Sequence, residues 1–240
     1  MNQNACFAAM LVCASVASAH AVPITALINT GSAASGVLDT NYLLTVERGG
    51  TRLTERYGYV SQSGLWDQTP WLANSAASKW IVPASDAWTS YDGASDGIYR
   101  YSLSFDLSGY RADSAWFTGR FSADNAAQVF LNGRLLATGS DFSRWTSFGA
   151  DGGFTDGVNV LEFVVTNYRL SAGNPTGLRV EYLGSYIEPA VRHQLALQAA
   201  AFEVPEPGSA AVFMGGLGLI GMISRRRRRG RGRQPQVRLG

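Results

Sequence analysis

Five aromatic residues lie in segments rich in Gly, Ser and Asp, where a large side chain exposed to solvent is unusual. The flat face of an indole or phenol ring offers an apolar surface on which the C–H groups of a sugar ring can pack. We therefore predict carbohydrate-binding positions at Trp66, Trp71, Trp88, Tyr91 and Trp145. The alternative is that these rings plug the open ends of the fold. Trp80 and Trp116 lie in strand-like sequence, where we expect ordinary core or strand residues.

Closely spaced aspartates indicate a second possible chemistry, the binding of a calcium ion. Asp92 and Asp96 occur in YDGASDG, and Asp151 and Asp156 occur in ADGGFTDG. Ca²⁺ takes about six to eight oxygen ligands, and neither spacing matches an EF-hand loop. Asp-Gly steps also form ordinary turns, which is the alternative. We predict Asp92 and Asp96 as ligands of a structural calcium ion and expect no other cofactor.

Residues for covalent or metal-assisted catalysis are scarce. Both cysteines, Cys6 and Cys13, precede residue 20, and the two histidines are His20 and His193. A Ser-His-Asp triad or a histidine metal site therefore lacks its histidine in the middle of the chain. Carboxylate pairs for glycoside hydrolysis are conceivable at Glu162 with Glu181 and at Glu47 with Glu55. Their spacing does not fix a catalytic distance, so we predict no catalytic residues and no enzymatic activity.

The middle of the chain has the period of half-buried β-strands. In GIYRYSLSFDL, Tyr99, Tyr101, Leu103 and Phe105 alternate with polar residues. The pair Asn132-Gly133 between two apolar runs predicts a type I′ hairpin. Further strands are predicted in PITALINTG, NYLLTV, SKWIVP, GVNVLEFVVTNY and GLRVEYLGSY. We predict that residues 22–186 form an all-β domain, a two-sheet antiparallel jelly-roll-like β-sandwich of eight to ten strands.

The beginning of the chain is typical of a secretory signal peptide. An apolar run from Ala5 to Ala17 is followed by the small-residue patterns ASA at 17–19 and AHA at 19–21. Small residues at the −3 and −1 positions are what signal peptidase accepts. Residues 1–21 are therefore predicted to be a signal peptide, with a core helix as the alternative.

The end of the chain combines an uncharged apolar stretch with a cluster of arginines. Residues 209–224 contain no charge and predict a single transmembrane helix, and Arg225, Arg226, Arg227, Arg228 and Arg229 follow directly. Adjacent arginines stop transfer and stay on the cytoplasmic side, so residues 230–240 are predicted to be a basic cytoplasmic tail. Ahead of these arginines, twelve basic residues face eighteen acidic ones, a net charge of −6. The basic tail is thus explained by the membrane, and we expect no nucleic-acid partner.

The order Pro205-Glu206-Pro207, apolar helix, arginine cluster resembles the PEP-CTERM sorting signal, over residues 204–229. The resemblance implies a Gram-negative bacterium that makes exopolysaccharide, and sorting by an exosortase that cuts near the Pro-Glu-Pro motif. The domain would first be anchored in the inner membrane, facing outward, and then reach the cell surface or the medium. Residues 187–203 would act as a linker or stalk between the domain and the signal.

The middle region resembles the galactose-binding-like jelly roll in Asp124-Asn125, Leu131-Asn132-Gly133, residues 157–161 and residues 177–180. That resemblance implies a fold and no particular binding residues, because this fold moves its ligand site among loops. Our leading hypothesis is an exported, non-catalytic surface protein that binds exopolysaccharide. The alternatives are a purely structural envelope or biofilm component and an enzyme that acts on polysaccharide.

Overall fold

The computed structural model describes residues 20–62, 70–85, 92–170 and 174–190. The predictions for the signal peptide, the stalk, the sorting signal, the transmembrane helix and the cytoplasmic tail lie outside these residues, apart from residues 20–21 of the signal peptide and residues 187–190 of the stalk. Among the described residues, no helix has the length and apolar character needed to cross a bilayer.

The described residues form ten β-strands, which is the upper limit of the predicted eight to ten. They are β1 (Leu38–Arg48), β2 (Thr51–Val60), β3 (Ile81–Val82), β4 (Gly97–Asp106), β5 (Tyr110–Asp124), β6 (Ala126–Leu131), β7 (Arg134–Gly139), β8 (Thr146–Ala150), β9 (Val158–Asn167) and β10 (Gly177–Pro189). Every pairing between them is antiparallel. The predicted all-β antiparallel fold is confirmed.

Hydrogen bonds connect the strands in the order β7-β6-β9-β4-β1-β2-β3-β10-β5-β8. The two-residue strand β3 joins two layers, because it pairs with β2 on one side and with β10 on the other. Aromatic rings fill the space between the layers. The ring of Phe163 in β9 lies 6.2 Å from Phe121 in β5 and 5.4 Å from Phe148 in β8. The two packed layers of the prediction are therefore present, linked through a shared short strand.

The predicted alternation of apolar and polar residues decides which side chains enter the core. In β4, Tyr99, Tyr101, Leu103 and Phe105 are buried, while the residues between them are more exposed. The β6–β7 hairpin turns at Asn132-Gly133, with φ of 49° and 82°. Both residues tolerate this left-handed conformation, so the hairpin prediction is confirmed.

The structure differs from the sequence prediction in PITALINTG, residues 23–31. This segment forms a turn, with the Leu27 amide donating to the Ile24 carbonyl, and has no strand. Thr30 is fixed by side-chain contacts instead, since its hydroxyl donates to the Lys79 carbonyl (2.8 Å) and accepts from the Val180 amide (2.9 Å). The apolar side chains of this segment pack against the core. The segment has no neighbouring strand to pair with, so it does not form a strand itself.

Candidate functional site

Strand β5 carries one row of side chains away from the core. Ala115, Phe117, Gly119 and Phe121 are buried, so the residues between them point to the other side of the layer. Strands β8 and β10 flank β5 and continue this surface. We call it the outer face, defined by Trp116, Thr118, Arg120, Trp145, Ser147, Gly149, Glu181, Gly184 and Tyr186.

One end of the outer face is an exposed aromatic pair. Trp116 and Tyr186 are register partners on β5 and β10, and their rings stack with centroids 5.4 Å apart and an interplanar angle of 20°. Tyr186 is 45% exposed, and Trp116 is partly exposed. A Cβ atom at Gly184 would lie 3.4 Å from the Trp116 ring, an ordinary contact distance, so the indole lies close to this position of β10. The pair offers a broad apolar surface to solvent.

A shallow open depression of about 410 Å³ adjoins the aromatic pair. Its wall includes Trp116, Thr118, Ser147, Gly149 and Asp151. Gly149 has no side chain, so the floor of the depression is low between β5 and β8. An apolar ring beside hydroxyl and carboxylate groups suits a ligand that has both C–H faces and hydroxyl groups.

The other end of the outer face is a cluster of charge around an indole. The Glu181 carboxylate accepts hydrogen bonds from Arg120 Nε (2.8 Å) and Nη2 and from the Ser78 hydroxyl (2.7 Å). The guanidinium carbons of Arg120 and Arg179 lie 4.5 Å and 4.8 Å from the Trp145 ring centroid. Cations at this distance are attracted by the ring electrons, which holds Trp145 beside the two arginines.

Arg179 is the buried member of this cluster. Its guanidinium donates to the hydroxyl groups of Ser78 (2.6 Å) and Ser75 (2.9 Å), to the Ala73 carbonyl, and to Glu181 (3.3 Å). Burial alone would raise the pKa of Glu181, but the hydrogen bonds from Ser78 and Arg120 and the charges of both arginines lower it. Glu181 is thus an ionised carboxylate held between two cations.

The predicted sugar-binding aromatics have different surroundings. Trp145 lies in the charged cluster on the outer face and is partly exposed. Trp71 is only 6% exposed and packs on Trp80, with ring centroids 4.2 Å apart. Trp80 is fully buried, as expected of a core residue. Trp66, Trp88 and Tyr91 lie outside the described residues, and their role stays a prediction.

Sequence reasoning passed over Trp116 and Tyr186 as binding residues. The signal was present in SAWFTGRF, because a strand that buries Phe117 and Phe121 must turn Trp116 and Arg120 outward. Tyr186 needed the register with β5, which only the structure gives.

The two predicted calcium ligands, Asp92 and Asp96, bind different partners in the structure. The Asp92 carboxylate is buried and accepts hydrogen bonds from Arg48 Nε (2.8 Å), the Tyr99 hydroxyl (2.8 Å) and Asn167 Nδ2 (2.9 Å). Asp96 is exposed, and its carboxylate accepts the Arg169 amide at 2.8 Å. The described residues hold no group of three or more His, Cys, Asp or Glu placed for a metal ion. The calcium site at Asp92 and Asp96 stays a prediction.

The candidate catalytic carboxylates Glu162, Glu55 and Glu181 form ion pairs with arginines and not pairs with one another. Glu162 in β9 pairs with Arg100 at 3.4 Å, whereas Glu181 in β10 belongs to the other layer. Glu55 pairs with Arg52 at 2.9 Å near the β1–β2 turn. None of these contacts brings two of the candidates together.

A different carboxylate, Asp124 at the end of β5, is buried without a basic partner among the described contacts. Its hydrogen bonds come from Trp71 and from the side chain of Asn125. Burial raises the pKa of Asp124 to about 7, although both hydrogen bonds act in the opposite direction.

The C-terminal segment matches one protein-family description. The match is to the PEP-CTERM protein-sorting motif and covers residues 203–229. Residues 203–229 are a PEP-CTERM sorting motif. The PEP-CTERM motif contains the predicted Pro205-Glu206-Pro207 and the arginines from Arg225 to Arg229. It implies that the chain is exported and sorted to the cell surface.

Searches by sequence and by structure add distant similarities. No curated protein matches the sequence of the chain. A carbohydrate-binding module of family 29 is similar in structure, with 12% identity, a TM-score of 0.33, and coverage of 72% of this chain and 90% of the module. Two glycosidases are also similar. An FMN-binding β-glucuronidase from Facaelibacterium prausnitzii L2-6 has 13% identity and a TM-score of 0.32, covering 60% of this chain and 22% of the enzyme. A β-glucosidase from Kluyveromyces marxianus has 10% identity and a TM-score of 0.33, covering 77% of this chain and 21% of the enzyme.

The chain thus spans about a fifth of the length of these two glycosidases. TM-scores this low carry no argument about a shared ligand or activity.

Proposed function

We propose that this exported protein binds polysaccharide on the outer face of its β-sandwich and has no catalytic activity of its own. Signal peptidase would remove the N-terminal segment, and the helix at residues 209–224 would hold the chain in the inner membrane. An exosortase would then process the PEP-CTERM motif and release the domain to the cell surface or into exopolysaccharide. The sorting motif supports the export steps, and the outer face supports the binding step.

The observation that carries the binding proposal is the spacing of aromatic groups across one face of the β5, β8 and β10 layer. The Trp116–Tyr186 pair and the Arg120–Trp145 contact lie on the same face of β5. Arg120 lies four positions after Trp116 on β5, which is about 13 Å at about 3.3 Å per residue. An extended chain of a few sugar units could contact both ends, with its hydroxyl groups over Thr118 and Ser147.

A face of paired strands suits this role for a physical reason. A strand layer holds its outward side chains at fixed positions, so the ligand meets a surface that is already arranged. Stacking on an aromatic face needs no particular sugar stereochemistry at every ring, whereas the polar groups between the two ends provide selectivity.

Replacing Trp116 by alanine is expected to weaken polysaccharide binding about tenfold, because an aromatic contact contributes about 0.5–1.5 kcal/mol beyond its area. Trp145→Ala should have a similar effect. The measurement is isothermal titration calorimetry with the full-length protein in mild detergent. The polymers are galactomannan, β-glucan, alginate and polygalacturonate.

The matched control is Tyr168→Ala, since Tyr168 is an exposed aromatic residue (50%) directly after β9 in the other layer. This variant should bind as the unchanged protein does. If the protein binds none of the four polymers, the result would count against the proposal and favour a purely structural role. Equal losses in all three variants would place the binding surface elsewhere.

Processing at both ends is expected to be visible as a loss of mass. Protein recovered from the culture medium should lack Cys6 and Cys13 at one end and the arginines Arg225–Arg229 at the other. Protein recovered from membranes should still carry the arginines. Intact-mass spectrometry of both fractions provides the test, and a secreted form that retains its arginines would contradict processing at the PEP-CTERM motif.

A further inference from the structure

The Trp145 end of the outer face carries more positive than negative charge. Arg120 and Arg179 share one carboxylate, Glu181. Arg144, the residue before Trp145, does not add to this excess because its Nε pairs with Asp141 at 3.0 Å. Residues 1–224 as a whole carry a net charge of −6. The Trp145 end therefore has an excess of positive charge, whereas residues 1–224 as a whole are acidic, and such a site favours an anionic ligand.

The hydrogen-bond partners show which of the two arginines is available to a ligand. Arg179 is buried, and its N–H groups donate to Ser78, Ser75, the Ala73 carbonyl and Glu181. Both carboxylate oxygens of Glu181 are already occupied. Arg120 uses Nε and Nη2 for Glu181, and its Nη1 makes no hydrogen bond to the described residues. The Arg120 side chain is 38% exposed, so this donor can reach a ligand.

Charge is distributed unevenly along the outer face. Asp151 lines the depression at the Trp116 end, whereas Arg120 lies at the Trp145 end. A guanidinium group binds a carboxylate with charge-assisted hydrogen bonds, which are about twice as strong as neutral ones. Because Glu181 fixes the Arg120 guanidinium from one side, little side-chain freedom is lost when a second carboxylate binds from the other.

We propose that the outer face selects an acidic polysaccharide, with the carboxylate of a uronic acid unit bound by Arg120 beside Trp145. The neutral part of the polymer then lies on the Trp116–Tyr186 pair. This inference rests on the proposed polysaccharide-binding function and adds the chemical class of the ligand. Asp151 would disfavour a second carboxylate at the Trp116 end, which gives the bound chain a direction.

The experiment compares polygalacturonate with its carboxyl-reduced form, which has the same backbone without the charge. The full-length protein in mild detergent is expected to bind polygalacturonate about tenfold more tightly, the size expected for one charge-assisted hydrogen bond. Raising the salt concentration should weaken binding to polygalacturonate and leave binding to the reduced polymer unchanged. Arg120→Gln should remove the preference, and Arg120→Lys should keep part of it.

Equal affinity for the two polymers would overturn the inference and leave the proposed function in place. Binding to neither polymer would overturn the inference, and it would overturn the proposed function as well only if galactomannan, β-glucan and alginate also failed to bind. Preference retained in Arg120→Gln would show that another cation selects the carboxylate, which also overturns the assignment. If Arg120→Gln does not fold, as thermal melting would show, the Arg120→Lys variant and the salt dependence of the unchanged protein still decide between these outcomes.

Discussion

Replacing Glu181 by alanine is expected to lower the free energy of unfolding by about 3–5 kcal/mol. The carboxylate is buried, and its removal leaves the Arg179 guanidinium in the interior without a counter-charge. The Ser78 hydroxyl and Arg120 would also lose their acceptor. Arg120 can turn to solvent, but Arg179 cannot, so most of the cost comes from the buried arginine. Chemical denaturation followed by fluorescence measures the change.

Glu162→Ala is the matched control for this prediction. Glu162 also lies on a strand and pairs with an arginine, but its ion pair with Arg100 is 3.4 Å long and both side chains are more than 30% exposed. Exposed pairs of this kind contribute about 0–1 kcal/mol. Similar losses in the two variants would show that Glu181 is not the buried counter-charge that its contacts indicate.

Asp124 is expected to make the protein less stable as the pH rises from about 4 to about 7. Burial raises the pKa of Asp124 to about 7 in the folded chain, against 3.8 for an ordinary aspartate. Between these values the unfolded chain gives up the proton and the folded chain keeps it, so rising pH favours unfolding. The difference in pKa corresponds to about 4 kcal/mol once the pH exceeds the folded value.

Asp124→Asn should remove this contribution, so the stability of the variant relative to the unchanged protein should increase between pH 4 and pH 7. Thermal melting across that range provides the measurement. Asp106→Asn is the control, because hydrogen bonds from Ser108 lower the pKa of the exposed Asp106. That contribution is complete above pH 4, and its difference curve should be flat. A flat curve for Asp124→Asn would mean that the carboxylate is not buried as described.

Local sequence patterns were sufficient for the strands that alternate regularly. Tyr99 to Phe105 showed the period of β4, and Asn132-Gly133 specified the β6–β7 hairpin by backbone conformation alone. Residues 23–31 show the limit of this reasoning. Apolar alternation indicates which side chains are buried, but it does not supply a neighbouring strand, and the segment forms a turn.

The candidate site depended on contacts between distant parts of the chain. Glu181 was considered as a catalytic acid, and its partners Ser78 and Arg120 lie 103 and 61 residues away. Trp71 looked like an exposed loop residue, but Trp80 and Phe142 cover it. Such pairings follow from the strand order, in which β10 lies between β3 and β5. Spacing along the sequence carries no information on that order.

The indole N–H signals of the six tryptophans test most directly whether the outer face binds polysaccharide. Titration of the ¹⁵N-labelled full-length protein with polygalacturonate should shift the signals of Trp116 and Trp145. The signal of the buried Trp80 should stay in place. Shifts confined to Trp66 and Trp88, with Trp116 and Trp145 unchanged, would contradict the claim and move the binding surface to the loops.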